Sequence, residues 1–204
     1  MSSQDQNQSS LKAYYKLHAR IYDLTRWAFL FGRQRLIHKA ASQLMMPERI
    51  LEIGCGTGEN LVALAERFPS AQIVGLDLSQ EMLSVAKLKL KGFGSRVSLV
   101  HQAYAGNAGE GAKFDLIVFS YSLSMINPGF DQVIESCKSE LCPKGVVAVV
   151  DFHESRWSWF RRWMGVNHVR MEGQILDELR KHFQPLICQV NRGYVDLWRY
   201  LTFI

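Results

Sequence analysis

No run of 18 consecutive apolar residues occurs in the chain, which excludes a conventional membrane-spanning helix. Cysteine is sparse: Cys55, Cys137, Cys142 and Cys188 are the full set among 204 residues, and none stand at CxxC spacing. That argues against a disulfide framework or a zinc site and favours a reducing, cytoplasmic setting. Met1 to Ser10 lack any apolar stretch and read as a disordered polar tail, unlike a signal peptide and outside the core. The P-loop pattern G-x-x-x-x-G-K-[ST] is missing, as are zinc-finger spacing, RNP-type aromatics and a zipper heptad, so no nucleic-acid partner is expected. What is present is ordinary for a globular protein, with 48% apolar and 21% charged residues in a length suited to one domain, residues 11–204.

Acid is scarce in two places. Residues 11–40 hold seven basic side chains against Asp23 alone, a local charge of +6. Residues 155–170 add Arg156, Arg161, Arg162 and Arg170 with no acid, a further +4, so within a net charge of +5 the remainder carries −5. Two basic segments flanking an acidic centre suit an anionic partner at the periphery, or are simply helices solvating themselves. Both segments are also rich in aromatics, which favours a membrane surface over nucleic acid.

Leu11 to Ala40 reads as helix broken near Gly32, with Tyr14, Tyr15, His18, Ile21, Tyr22 and Thr25 on one face. Strands are expected at Arg49–Ile53, Gln72–Leu76, Val97–Val100, Phe114–Ser120 and, after a turn at Pro143-Lys144-Gly145, Val146–Phe152. Helices are expected at Glu59–Phe68, from a Ser79 cap to Lys91, and at Phe130–Leu141. The alternation implies an α/β fold, a doubly wound, seven-stranded, mostly parallel sheet. The last third reads as helices Trp157–Gly165 and Glu172–Phe183, then strands Leu186–Val190 and Tyr194–Ile204. The expected plan is one domain with an N-terminal helical cap (11–45) and a second, inserted cap (153–183).

Ligands bind open α/β sheets beyond the carboxyl ends of the strands, where Gly54-Cys55-Gly56-Thr57-Gly58 falls. A dinucleotide fingerprint reads G-x-G-x-x-G, but here the third glycine comes one residue early and Glu59 follows it. A carboxylate at a helix start is a poor neighbour for phosphate, so a positive or neutral ligand is expected. Asp77, closing the second strand, suits the two hydroxyls of a ribose.

LEIGCGTGEN followed by VGLDLS resembles the leading motifs of class I S-adenosylmethionine-dependent methyltransferases, and FDLIVFS and LCPKGVVAVVDF are similar to that family's later strand motifs. The resemblance spans roughly residues 49–152. It implies S-adenosylmethionine as cofactor, with S-adenosylhomocysteine as product. It places Glu52, Gly54, Cys55, Gly56 and Gly58 along the methionine part, Asp77 and Leu78 at the ribose, and Gln102, Ala103 and Ser120 along the remaining edge. Gln102 stands near where family members often carry an acid against the adenine amino group; glutamine can still accept from it.

YDLTRWAFLFGRQRLI, FSYSLSMI and VVDFH are in turn similar to the N-methyltransferases of betaine-lipid synthesis, which methylate the amine of a diacylglyceryl homoserine. That likeness implies a lipid headgroup carrying an amine and a carboxylate, at an anionic membrane surface. Rival acceptors are phosphatidylethanolamine, a prenylated quinol or a small soluble molecule; a non-catalytic sensor of the cofactor is the alternative outside this class. Tyr14, Tyr15 and Tyr22 either form part of an aromatic cage for a quaternary ammonium or are the helix's buried side. Arg26 or Arg33 suits a substrate carboxylate, and Ser122 lies where the acceptor meets the methyl group. Tyr22, His153 and Tyr121 are the candidate catalytic residues. Trp157–Gly165 has the layout of a helix lying in a headgroup layer, or of one packed on the sheet. Asp151-Phe152-His153-Glu154 lacks a third ligand at a sensible distance, so no metal is expected.

Overall fold

The computed structural model describes residues 30–109, 111–166 and 168–204. Tyr14, Tyr15, Tyr22 and Arg26, with the polar tail, lie outside the described residues. The first described helix, α1 (Arg33–Gln43), starts where the break was expected: Gly32 caps it at φ 85°, a left-handed conformation that glycine adopts freely. A Cβ at Gly32 would also lie 2.7 Å from the Tyr200 ring.

Strand β1 (Arg49–Ile53) leads to α2 (Glu59–Arg67), which ends as expected before Pro69 because the residue preceding proline avoids helical backbone. Then come β2 (Gln72–Asp77) and α3 (Gln80–Lys89), whose Ser79 cap accepts from the Met82 N–H at 3.2 Å. β3 (Val97–His101), β4 (Phe114–Ser120) and α4 (Phe130–Glu140) follow. β5 (Leu141–Glu154) begins earlier than predicted: Leu141 already pairs with Phe114, the register shifts, and regular pairing resumes at Val146. The proline turn therefore sits inside an irregularity of the strand, where a missing N–H is tolerated. The chain ends with α5 (Ser158–Val166), α6 (Gln174–His182), β6 (Cys188–Gly193) and β7 (Trp198–Phe203).

The last strand starts four residues later than predicted. Tyr194, Val195 and Asp196 take φ of 39°, 52° and 72°, which is turn and not strand backbone.

The seven strands form one sheet in the order β3-β2-β1-β4-β5-β7-β6, parallel except for β7, which runs antiparallel to both neighbours. Alternation along the strands sorts the core into two halves. Ile50, Val118, Val150 and Trp198 face α1, α2, α3 and α5; Leu51, Phe119, Val149 and Phe203 face α4 and α6. The predicted inserted cap is thus divided. Phe160 and Met164 of α5 pack on one face of the sheet, and Ile175, Leu176 and Leu179 of α6 on the other. Because β7 is antiparallel, the turn before it lies at the same sheet edge as the carboxyl ends of β1, β2, β4 and β5. Among the described residues, no helix is long and apolar enough to cross a membrane.

Candidate active site

The loop after β1 is tied down by its own backbone. Gly54 and Cys55 N–H both donate to the Leu76 carbonyl, at 2.8 and 3.0 Å. Gly54, Gly56 and Gly58 all have positive φ, and a Cβ on Gly54 would meet Ser122 Cβ at 2.5 Å. The Gly56 N–H donates to Asp77 Oδ2 at 2.7 Å, and the Ser79 N–H to Oδ1 at 2.9 Å. Each carboxylate oxygen keeps a further acceptor site. Asp77 thus joins the two motifs that were separate in sequence.

Two cavities meet at Gly54 and Gly56. One, of about 250 Å³, is polar: Arg33, Glu52, Asn60 and Ser120 line it with the loop. Glu52 is buried and accepts from Asn60 Nδ2 at 2.7 Å. Ser120 is 5% exposed, and its hydroxyl has no hydrogen-bond partner among the described residues. A buried carboxylate, a guanidinium and an unsatisfied hydroxyl around one space match the amine and carboxylate of a methionine group. The other cavity, of about 420 Å³, is mainly apolar, walled by Leu78, Met82, Ala103, Ile126 and Val133, with Asp77 at its rim. Apolar walls with one carboxylate suit an adenosine. The residues present therefore fit S-adenosylmethionine.

Of the predicted cofactor residues, Glu52, Gly54, Cys55, Gly56, Asp77, Leu78, Ala103 and Ser120 line one cavity or the other. Gly58 lies behind the loop, at the start of α2 and packed toward Ala86. Gln102 is exposed and outside both linings, so the adenine-edge role expected for it is not supported by its placement. Burial pushes the Cys55 thiol far up, with the Glu52 and Asp77 charges adding to it, so it stays a neutral wall group. Glu59, expected to repel anions, is paired with Lys89, which also reaches Thr57 Oγ1 at 3.3 Å.

The acceptor-side expectations are revised at four residues. Tyr121 lines the apolar cavity, but its hydroxyl donates to the Phe31 carbonyl at 2.7 Å. Burial pushes that phenol well up, with Asp151 adding to it, so Tyr121 is a latch on the start of α1 and not a base. His153 lies outside both linings, against Gly173 at the head of α6, and burial lowers its pKa. Its ring packs on Gly173 and lines neither cavity, so its placement does not support the role of catalytic base expected for it. Arg33, expected at a substrate carboxylate, lines the polar cavity with Glu52, Asn60 and Ser120. Ser122 lines the apolar cavity but donates to the Ile53 carbonyl at 2.8 Å, so it braces the loop.

Four residues at the site had been given no role from the sequence. Asn60 orients Glu52, and its only signal was a place one residue into α2. Met125 and Ile126 wall the apolar cavity just beyond Ser124. Asp151 is fully buried beneath them, accepting from the Ser124 N–H at 3.2 Å and the Phe152 N–H at 2.7 Å. Burial raises its carboxyl from 3.8 to about 6, against the pull of those hydrogen bonds.

Residues 50–145 match the family described as a methyltransferase domain. The glycine loop, Asp77 and the strand order agree with that match, and this stretch is similar to class I S-adenosylmethionine-dependent methyltransferase domains. It is 32% identical over 119 residues to a trans-aconitate 2-methyltransferase of Variovorax paradoxus, covering 57% of this chain and 44% of that protein. Over 135 residues it is 29% identical to a demethylmenaquinone methyltransferase of Thermus thermophilus, covering 64% and 60%. The chain thus spans about half the length of the curated relatives it matches. Among solved structures, the 1,6-didemethyltoxoflavin N1-methyltransferase of Burkholderia thailandensis, with S-adenosylhomocysteine bound, superposes with a TM-score of 0.71 at 16% identity, covering 100% of this chain and 89% of the other; it shares the fold.

Proposed function

We propose that the protein transfers the methyl group of S-adenosylmethionine to the amine of a lipid headgroup of the diacylglyceryl homoserine kind. The observation that carries the transferase reading is the pair of cavities sharing Gly54 and Gly56, one polar around Glu52 and Ser120, the other apolar around Asp77. The cofactor supplies an electrophilic methyl on a sulfonium. The chain supplies orientation, since in-line displacement depends chiefly on held geometry. Glu52, fixed by Asn60, holds the amine of the methionine part; Arg33 and the Ser120 hydroxyl take its carboxylate; Asp77 takes the ribose hydroxyls. Tyr121, Met125 and Ile126 wall the apolar cavity where the adenosine would lie. The sequence likeness to betaine-lipid enzymes and the basic, aromatic segments support the lipid amine, and with it peripheral attachment to an anionic membrane leaflet.

A second reading takes a prenylated quinol as acceptor, favoured by the likeness to a demethylmenaquinone methyltransferase. Methyl incorporation from labelled S-adenosylmethionine, with diacylglyceryl homoserine, phosphatidylethanolamine, a prenylated quinol and soluble amines in mixed micelles, separates these. Label in the homoserine lipid alone is the expected result. Label in the quinol instead replaces the acceptor and keeps the transferase reading; cofactor binding with no label in any acceptor points to a sensor.

A further inference from the structure

Helix α5 is anchored by one side and exposes large apolar side chains on the other. Phe160 and Met164 are buried, while Trp157, Trp159, Trp163 and Val166 are exposed, Trp159 by 59%. The turn before β7 presents a second apolar point. Val195 is fully exposed, although it is β-branched and held at φ 52°, a conformation costly for that side chain. The exposed rings are rooted in buried ones: Phe160 touches Trp159 and Trp163 at 5.7 Å and stacks on the buried Trp198, also at 5.7 Å. Arg156, Arg161 and Arg162 stand among these rings, and Arg156 lies over Trp157 at 5.1 Å. The acids at the margin are engaged: Glu154 with Arg199 at 2.8 Å, and Asp196 with the same arginine at 3.0 Å.

We infer that α5 and the β6–β7 turn form a docking face for an anionic lipid bilayer. Tryptophan rings favour the headgroup layer, and a helix segment with three arginines and no acid of its own favours anionic lipid, so the chemistry of the face commits to that partner. Its place fits the site. The turn and α5 lie at the carboxyl edge of the sheet, and Phe31, packed on Trp198 at 5.8 Å, adjoins Leu30 and is two residues from Arg33, both lining the polar cavity. A lipid acceptor would then reach the site without leaving the bilayer far behind. This inference rests on the site reading above only for its purpose; vesicle binding is measured without turnover, so its failure is distinct from a wrong acceptor.

The test is co-sedimentation of the full chain with vesicles of phosphatidylcholine alone and of phosphatidylcholine with phosphatidylglycerol, together with tryptophan emission. The expected result is binding to the anionic vesicles only, weakened by salt, with a blue shift. The double variant Arg156→Gln/Arg162→Gln should bind about 30-fold more weakly, at about 1 kcal/mol per arginine near the surface. Trp157→Ser/Trp159→Ser should lose most of the blue shift. Affinity for S-adenosylhomocysteine should stay unchanged in both, which shows that they fold. Absence of vesicle binding, equal binding by folded variants, or a dimer that Trp159→Ser dissolves would each overturn the inference, the last by making the face a contact between copies.

Discussion

Replacing Asp77 with asparagine isolates the bond pattern that defines the site. In the wild type each carboxylate oxygen accepts one backbone N–H, from Gly56 at 2.7 Å and Ser79 at 2.9 Å, and keeps one acceptor site for a ribose hydroxyl. A hydrogen bond to a charged group contributes about 1.5–3 kcal/mol net. Asparagine keeps one acceptor oxygen, and its NH2 faces whichever backbone N–H the oxygen does not take. One ribose bond and one loop bond are lost together. Cofactor affinity should fall by about 1.5–3 kcal/mol, about 10- to 150-fold in Kd. Asp77→Ala removes both ribose bonds and should cost about 3–6 kcal/mol, roughly 100- to 10,000-fold, by the same figures. Calorimetric titration with S-adenosylhomocysteine, on variants whose circular dichroism and thermal midpoints confirm folding, reads the difference. A folded Asp77→Asn protein with wild-type affinity would refute the ribose assignment and, with it, the position of the adenosine cavity.

Ser120→Ala should leave stability unchanged, because the hydroxyl has no partner among the described residues, yet weaken cofactor binding by about 0.5–1.5 kcal/mol, about 2- to 12-fold; equal affinity in the same titration would show that the hydroxyl does not face the ligand. Tyr121→Phe strands the Phe31 carbonyl and should lower stability by about 1–3 kcal/mol in urea unfolding, with the pH profile of turnover unmoved because the phenol is no base. An altered profile with unaltered stability would reverse that assignment. Asp151 has its folded pKa raised from 3.8 to about 6, so the stability of its neutral form is full below 3.8 and is lost as pH rises through about 6. Over that window the loss is about 3 kcal/mol, at 1.36 kcal/mol per pKa unit. The stability of wild type minus Asp151→Asn, measured by denaturant titration, should fall by that amount as pH rises, and a flat difference would contradict the burial of the charge.

The doubly wound sheet was legible in the sequence because its cues are local. The continuous apolar run Phe114–Ser120, the Ser79 cap, Pro69 and the Gly32 break each act within a few residues, and each fell where the pattern indicated. The boundaries that moved are those set by long-range pairing. Leu141 joins β5 because Phe114 is across from it, and the start of β7 is set by a turn whose left-handed tyrosine, valine and aspartate give no composition signal.

The candidate site divides in the same way. The glycines and Asp77 were visible because a loop pressed against a ligand needs residues without Cβ, and a sugar diol needs a paired acceptor. The roles of Tyr121, His153, Ser122 and Arg33 were not, since a residue's type does not reveal which face of the strand it takes or which carbonyl its hydroxyl already holds. The sequence by itself therefore determined the element order, the cofactor loop and the charge of the periphery. Only the tertiary structure decided that α5 and α6 take opposite faces, that Arg33 lines the polar cavity, and that Tyr121 is bound to Phe31. Those outcomes depend on distances between segments far apart in the chain, which packing of the whole sheet alone fixes.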